Sequence, residues 1–369
     1  MNFEKDTRII MTLDGGGTNF VFSAFQSGRQ IVEEYRLDAC GDDLDKSMNN
    51  IVEGFNYVLK QLDNTPSAIS IAFPGPADYP NGIIGDLGNL PAYRGGVALG
   101  PFLKNKFGLP VFINNDGDLY AYGEGLAGFL PYINKLLSDS GNPKRYKNLV
   151  GITLGTGFGC GLFINGELYR GDNSMAGEIW LLRNRISPEE FAEEHASIRG
   201  VRRLYGEAAG IGFSDAPSPK EIYEIAIGKL EGNKNAAIEA YKKMARVVGD
   251  AIANVVTIMD CPVVIGGGLA GASQLFMPFL LDEMRSCYRK TSDGARVKRL
   301  MAQIYNLDNE EDLKNFLHNE TVEINVYGTN EKVNYDASKK IAIGISQLGA
   351  SKAIALGAYA FALNMIDKQ

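Results

Sequence analysis

Three glycine-rich turns, each at the end of a predicted strand, restrict the fold of this sequence more than any other feature. They lie at residues 13–20 (LDGGGTNF), 154–161 (LGTGFGCG) and 263–271 (VVIGGGLAG). Glycine permits positive φ and close approach of the backbone to another group. The first turn matches neither G-x-x-x-x-G-K-[ST] nor G-x-G-x-x-G, and alone it is equally typical of a ligand-free hairpin. Three such turns together indicate a site that surrounds a nucleoside triphosphate with backbone donors.

The pattern around the first turn predicts an α/β layer fold. Apolar runs at residues 8–13, 20–26 and 31–37 predict an antiparallel meander. A helical period over residues 44–62 and a second helix at 99–107 alternate with buried strands at 67–73 and 111–113. Strands that alternate with helices are typical of mixed sheets covered by helices.

The second half of the sequence repeats this organisation. Strands are predicted at residues 149–154 and 161–164, around the second glycine turn, and Asn165-Gly166 is a strong hairpin turn. A helix-rich stretch at 188–260 leads to a strand at 262–265 and the third glycine turn. The repetition indicates an internal duplication. The polar segment 289–340 is interpreted as an inserted helix and hairpin.

Composition narrows the class of partner and the compartment. The net charge of −7 argues against nucleic acid or an anionic membrane as the partner. The N-terminal residues are polar and no apolar run reaches the length of a membrane span, so we expect a cytoplasmic protein. The four cysteines form no C-x-x-C pair, which favours reduced, mostly buried thiols.

In order along the chain, several long motifs resemble the ROK family of sugar kinases and sugar-responsive repressors. They are LDGGGTNF, IAFPGPADYPNGII with NLPAY, INNDGDLYAYGE, LGTGFGCGLFINGELYRGDNSMAGEI and VVIGGGLA. The resemblance implies a two-domain α/β fold of the actin-like ATPase (ribonuclease H-like) type, with duplicated mixed-sheet halves and a cleft between them. The expected domains are residues 1–118 with 347–369, and residues 119–346, the latter containing the insertion at about 289–340.

The resemblance also implies roles for individual residues on the sugar side. Asp116 is the expected general base, which suits a carboxylate at the end of a strand. The alternative is an aspartate that caps the following helix. Carboxylates accept paired sugar hydroxyls well, and Glu194 is the alternative to Glu193 if the register is off by one. The expected sugar-binding residues are Gly75, Asn89, Asn115, Asp116, Glu178 and Glu193.

On the nucleotide side, the resemblance implies ATP and Mg²⁺ as cofactors. Asp14 is expected to hold the magnesium through water, since Mg²⁺ keeps several waters and takes one or two carboxylates. The expected nucleotide-binding residues are Asp14, Gly16, Gly17, Thr18, Gly155, Thr156, Gly157, Gly267 and Gly268.

One segment departs from the family pattern. Most members have a histidine three positions after the glutamate that matches Glu178, and this histidine and nearby cysteines bind zinc. Here Leu181 stands at that position, and no cysteine lies between Cys160 and Cys261. We therefore expect no structural zinc. We expect the apolar run Trp180-Leu181-Leu182 to hold this segment by packing, and His195 to be a surface histidine on a helix or else a replacement sugar contact.

The expected function is ATP-dependent phosphorylation of a hexose, most simply glucose at its 6-hydroxyl. Alternatives within the family are an N-acetylated amino sugar kinase, a fructose kinase and a sugar-binding regulatory protein without catalysis. Repressors of the family carry a DNA-binding domain before the first glycine motif, whereas only about a dozen residues precede Asp14. The expected partner is a small sugar, without nucleic acid or membrane, and the family habit is a homodimer.

Overall fold

Two six-stranded mixed sheets form the framework of the protein in the computed structural model, which describes residues 3–16, 18–75, 77–85 and 90–368. The strands are β1 (Ile10–Gly15), β2 (Asn19–Gln26), β3 (Arg29–Gln30), β4 (Tyr35–Asp38), β5 (Ala68–Ala72), β6 (Ala77–Asp78), β7 (Ile83–Ile84), β8 (Val111–Asn114), β9 (Leu149–Leu154), β10 (Phe158–Ile164), β11 (Glu167–Tyr169), β12 (Val263–Gly266), β13 (Cys287–Arg289), β14 (Arg296–Lys298), β15 (Gln303–Asn306), β16 (Val322–Asn325), β17 (Lys332–Tyr335) and β18 (Lys340–Ile345).

Helices cover these sheets, and they include the two helices predicted at residues 44–62 and 99–107. They are α1 (Leu44–Leu59), α2 (Leu99–Phe107), α3 (Asp116–Leu126), α4 (Phe129–Asp139), α5 (Ile198–Ala209), α6 (Pro219–Ala226), α7 (Lys234–Met259), α8 (Ser273–Met284), α9 (Glu310–Leu317) and α10 (Ala350–Asp367). None of the helices in the described part of the chain combines the length and apolar character that a bilayer crossing requires.

The first sheet places the ends of three parallel strands side by side. Its order is β3-β2-β1-β5-β8, and β4 pairs with β2. Strand β1 is antiparallel to β2 and parallel to β5, and β5 is parallel to β8. In this register Asp14 lies opposite Ala72, and Ala72 lies opposite Asn114. Paired residues share a face of a sheet, so Asp14 and Asn114 point to the same side.

The second sheet repeats the construction of the first. Its order is β11-β10-β9-β12-β18-β15, and β12 runs parallel to β9 and to β18. Each sheet therefore opens with an antiparallel hairpin across a glycine turn and continues with parallel strands. The predicted α/β fold with duplicated mixed sheets is confirmed.

The chain divides into two compact units. The first contains residues 1–128, 160–177 and 348–369, and the second contains residues 129–159 and 178–347. The core of the first unit joins the sheet to α1 and α2 through residues such as Phe22, Phe55 and Leu103. The domain limits expected from the sequence stay a prediction.

Helix α10 fixes helix α3 by direct backbone contact within the first unit. A Cβ on Gly123 would lie 2.0 Å from the carbonyl oxygen of Ala353, and a Cβ on Gly357 would lie 1.9 Å from that of Leu119. Only glycine allows this approach at either position. Because α3 begins at Asp116, this packing holds the predicted general base in place.

The single strand predicted at residues 31–37 is wrong. Instead β3 ends at Gln30 and β4 begins at Tyr35, and the residues between them form no strand. Gln30 lies opposite Phe25, and Tyr35 lies opposite Phe22. The returning chain thus carries two residues more than β2 over the same stretch, and such a bulge interrupts the ladder. Val32 uses the extra length to turn into the core.

The segment 289–340 contains more than the predicted helix and hairpin. Helix α9 and the β16–β17 hairpin are present, but β13 and β14 form a second hairpin. Strand β15 also enters the second sheet, parallel to β18. Strand β18 itself was not predicted.

Candidate active site

Two carboxylates lie close together at the edge of the first sheet. Asp14 lies near the end of β1, just before the first glycine turn. Asp116 follows β8 and is the first residue of α3. The register aligns the ends of β1, β5 and β8, which brings the two side chains to one crevice of the sheet. Burial and, after it, the negative charge of Asp116 raise the pKa of Asp14.

Asp14 has an acidity suited to a cation site. Burial, followed by the negative charges of Asp116 and Glu34, raises the pKa of its carboxyl to about 6, and Arg36 opposes the rise. A partly buried carboxylate beside a second one is relieved by a positive ion. Asp14 therefore fits the chemistry of a magnesium site held through water and phosphate oxygens.

Asp116 occupies the first turn of α3. Asn115, not Asp116, is the N-cap, and its Oδ1 accepts from the Gly117 N–H at 2.7 Å. The Asp116 Oδ1 also accepts from that N–H, at 2.8 Å. The residue is exposed. Desolvation by the surrounding protein raises the pKa of its carboxyl, and backbone hydrogen bonds from Gly117 and Asp116 oppose the rise. A solvent-accessible carboxylate with raised proton affinity can accept a hydroxyl proton.

Asn115 and Gly75 lie beside one another, while their role in sugar binding stays a prediction. A Cβ on Gly75 would lie 2.4 Å from the Tyr79 hydroxyl and 3.3 Å from Asn115 Nδ2. Asn115 Nδ2 donates to the Tyr79 hydroxyl at 3.4 Å, and that hydroxyl donates to the Phe73 carbonyl at 3.2 Å. Sequence reasoning missed Tyr79, although its place inside the PGPADYP motif could have indicated it.

Each of the first two glycine turns contains a backbone hydrogen bond, but the two bonds differ in span. The Gly16 N–H donates to the Asn19 carbonyl at 3.0 Å, and the Gly155 N–H donates to the Gly157 carbonyl at 3.0 Å. These two amides already have acceptors within their turns. Thr18 and Thr156 are exposed beside them.

Glu193 contacts the second glycine turn directly. Its Oε2 accepts from the Phe158 N–H at 2.9 Å, and its Oε1 accepts from Arg199 at 2.9 Å. A Cβ on Gly157 would lie 2.8 Å from Oε2. The structure thus brings a predicted sugar-binding glutamate and a predicted nucleotide turn together. Glu194 instead pairs with Arg199 and Arg203.

The third glycine turn lies next to the second within the same unit. Strand β12 is parallel to β9, with Gly266 opposite Thr153. Gly267 has φ +89°, and a Cβ there would lie 2.3 Å from the Leu154 carbonyl oxygen. No side chain fits between these strands at Gly267. At Gly268 a Cβ would meet nothing within 4 Å, so this position is open.

Glu178 is held by a tryptophan. The Trp180 indole N–H donates to Glu178 Oε2. The Trp180 ring packs edge-on against Phe191, with ring centroids 5.5 Å apart and an interplanar angle of 88°. The indole contact was not predicted, because no spacing rule indicates which way a side chain in an irregular segment points.

The segment between Glu178 and Glu193 corrects two expectations. Leu181 does not pack inward, since 52% of it is exposed. His195 is not a surface residue, because it is 4% exposed and its Nδ1 shares a hydrogen bond with Asn184 Nδ2. Asn184 also accepts from the Ile186 and Ser187 N–H groups, so polar contacts hold much of this loop.

Two predicted residues, Gly17 and Asn89, lie outside the described residues. Among the residues that the structure describes, no group of three or more His, Cys, Asp or Glu side chains is arranged to hold a metal ion. A magnesium ion bound by one carboxylate, phosphates and water does not need such a group.

The comparisons with known proteins follow the same motifs. The ROK family model matches residues 10–306. The chain belongs to the ROK family. A crystal structure of glucokinase from Parabacteroides distasonis ATCC 8503 is 53% identical, with a TM-score of 0.89 and 99% of each chain covered. The predicted actin-like ATPase fold is confirmed by this likeness.

Other ROK relatives carry different names. An N-acetyl-D-glucosamine kinase of Photobacterium profundum is 28% identical over 285 residues, which cover 71% of this chain and 85% of the relative. A xylose repressor of Caldicellulosiruptor bescii is 25% identical over 328 residues, which cover 83% of this chain and 75% of the relative. The relatives of this chain therefore include both a sugar kinase and a repressor.

Proposed function

We propose that this chain transfers the terminal phosphoryl group of ATP to a hexose, namely the 6-hydroxyl of glucose, with Asp116 as the general base. The observation that carries the proposal is the place of Asp116. It follows a parallel strand at the first turn of α3, reaches solvent, has a raised pKa and interacts with Asp14. Membership of the ROK family supports the same chemistry.

In this mechanism the side chains position the sugar and move one proton. Asp116 accepts the proton of the attacking sugar hydroxyl as the hydroxyl oxygen bonds to the γ-phosphorus, and the bond from that phosphorus to the ADP oxygen breaks so that ADP leaves. The resemblance assigns Gly75, Asn89 and Asn115 to sugar binding, and assigns Glu178 and Glu193 as acceptors of hydrogen bonds from sugar hydroxyls. When bound beside Asp14, Mg²⁺ neutralises charge on the phosphates.

The nucleotide is assigned to the glycine turns. The resemblance assigns Gly16, Gly17 and Thr18, and separately Gly155, Thr156 and Gly157, to the phosphates, because glycine permits close approach to the backbone. Gly267 and Gly268 are assigned to the adenosine. The positive φ and close strand contact of Gly267 support a glycine requirement at this turn.

Substrate identity has two alternatives that the relatives favour. The 53% identical glucokinase supports glucose, whereas the N-acetyl-D-glucosamine kinase supports an N-acetylated amino sugar. Fructose is a further candidate within the same chemistry. The xylose repressor supports a sugar-binding regulator without catalysis, which the retention of Asp116 and the glycine turns opposes.

A direct test measures ADP and sugar phosphate formed from ATP and a panel of hexoses. We expect kcat/KM to be largest for glucose, since the 53% identical protein is a glucokinase. A single hydroxyl or acetamide contact is enough to separate the sugars. A larger value for N-acetylglucosamine would assign the alternative. Hexose binding by calorimetry without turnover on any sugar would assign the regulator. We also propose that the protein is cytoplasmic and forms a homodimer. Light scattering of the purified protein tests the oligomeric state.

The contact of Glu193 with the second glycine turn makes a separate prediction. Gly157→Ala places a Cβ 2.8 Å from Glu193 Oε2, whose position Arg199 and the Phe158 N–H fix. We expect the sugar KM to rise roughly tenfold, because a hydrogen-bonded carboxylate must move. Gly212→Ala is the matched control, since its Cβ would make only ordinary contacts of 3.4 Å or more and Gly212 has no role in the proposed site. Steady-state kinetics with glucose varied would contradict this if the two variants behaved alike.

A further inference from the structure

The carboxylate of Glu178 has a polar contact from its own segment of the chain. Leu181, at the histidine position, is exposed and has no polar side-chain atom. Glu178 Oε2 instead accepts the indole N–H of Trp180. The indole nitrogen can only donate, and hydrogen bonds to a charged acceptor are stronger than neutral ones. The contact therefore fixes the carboxylate in one orientation.

This orientation leaves part of the carboxylate available. In the described part of the chain, the indole provides the one side-chain hydrogen bond to Glu178, and it uses Oε2. Oε1 can still accept a hydrogen bond from a sugar hydroxyl.

The Trp180 ring also connects the two glutamates assigned to the sugar. It packs edge-on against Phe191, two residues before Glu193. The two segments are joined a second time, because the Ala192 N–H donates to the Leu182 carbonyl at 2.8 Å. Glu193 in turn holds the Phe158 N–H of the second glycine turn. A continuous set of contacts thus runs from Glu178 through Trp180 and Phe191 to the turn.

We propose that Trp180 is a positioning residue for sugar binding: its indole N–H orients Glu178, and its ring keeps the Glu178 and Glu193 segments in register. The proposal rests on the proposed function, because it takes Glu178 and Glu193 as sugar ligands.

The first test removes the donor and keeps the aromatic ring. Trp180→Phe should raise the glucose KM roughly tenfold, as expected for loss of one hydrogen bond to a charged group. The ATP KM and kcat should change by less than about twofold, because uniform sugar binding is lost and the transition-state contacts remain. Leu181→Ala, at the neighbouring exposed position, is the matched control and should match the unaltered protein.

A double-mutant cycle separates positioning from a general structural effect. If Trp180 acts through Glu178, Trp180→Phe should add little to the loss in sugar affinity that Glu178→Gln already causes. Additive losses, or an equal fall in kcat and sugar affinity together with a lower Tm, would overturn the proposal.

The chain also carries its own reporter, since Trp180 is its sole tryptophan. Glucose added without ATP should change the tryptophan emission with a midpoint equal to the Kd measured by calorimetry. Calorimetric binding without any change in emission, combined with an unchanged KM for Trp180→Phe, would overturn this inference and leave the kinase proposal intact. No calorimetric binding of any hexose would overturn both.

Discussion

Replacement of Asp116 by asparagine is expected to lower kcat by about 10²–10⁴-fold, the usual range for loss of a positioned general base. Asparagine keeps the size and the backbone-accepting oxygen of the side chain, so the contact with the Gly117 N–H can persist. ATP and glucose affinities should therefore change little. The measurement is kcat from product formation, with both Kd values from calorimetry.

Asp63→Asn is the matched control for this change, because Asp63 lies exposed beyond the end of α1. It should leave kcat unaltered. A near-normal kcat in the Asp116 variant would remove Asp116 from the mechanism. Loss of both ligand affinities and of Tm would instead assign it a role in the fold.

Replacement of Asp14 by asparagine is expected to impair activity while it stabilises the protein. A group that holds magnesium through water contributes roughly 10–100-fold to metal affinity or activity. The raised pKa of Asp14, about 6 against 3.8, means that its charged form is disfavoured in the fold. The difference sets an upper limit of about 3 kcal/mol on the stability gained by removing the charge.

The stabilisation should depend on pH with a definite sign. Between pH 3.8 and about 6 the folded protein binds more protons at Asp14 than the unfolded chain does. Stability from this group therefore falls as pH rises through that window, and the cost is complete above it. Asp14→Asn should raise Tm at pH 7.5 and have little effect near pH 4, measured by thermal melting beside Asp63→Asn. A lower Tm at pH 7.5 would contradict the assignment.

The regular elements that position the site were predictable because their signals are local. The two glycine hairpins interrupt apolar runs, and the strand before Asn114-Asn115-Asp116 is short, apolar and followed by a helix. A strand end that enters a helix places polar side chains at the sheet edge, whatever the rest of the chain does. The meeting of Asp14 with Asp116 depends in addition on the β1-β5-β8 order, which is not a local signal.

The segment 178–195 could not be predicted from local signals. Its conformation depends on which partner each side chain meets, and Asn184, His195 and Phe191 find theirs through contacts across the loop. An apolar run such as Trp180-Leu181-Leu182 indicates burial only where a regular element fixes which side faces the core. Here Leu181 faces solvent while the indole of Trp180 turns to Glu178.

The packing of α10 on α3 has a consequence for synthesis. More than half of the chain separates the end of α3 at Leu126 from the start of α10 at Ala350. A ribosome that adds about 5–20 residues per second must complete the entire second unit before the partner of α3 emerges. During that interval the glycine-bearing face of α3 lacks its partner helix. The nascent chain therefore acquires its complete first unit, and with it the packing that holds Asp116, only once α10 has left the ribosome.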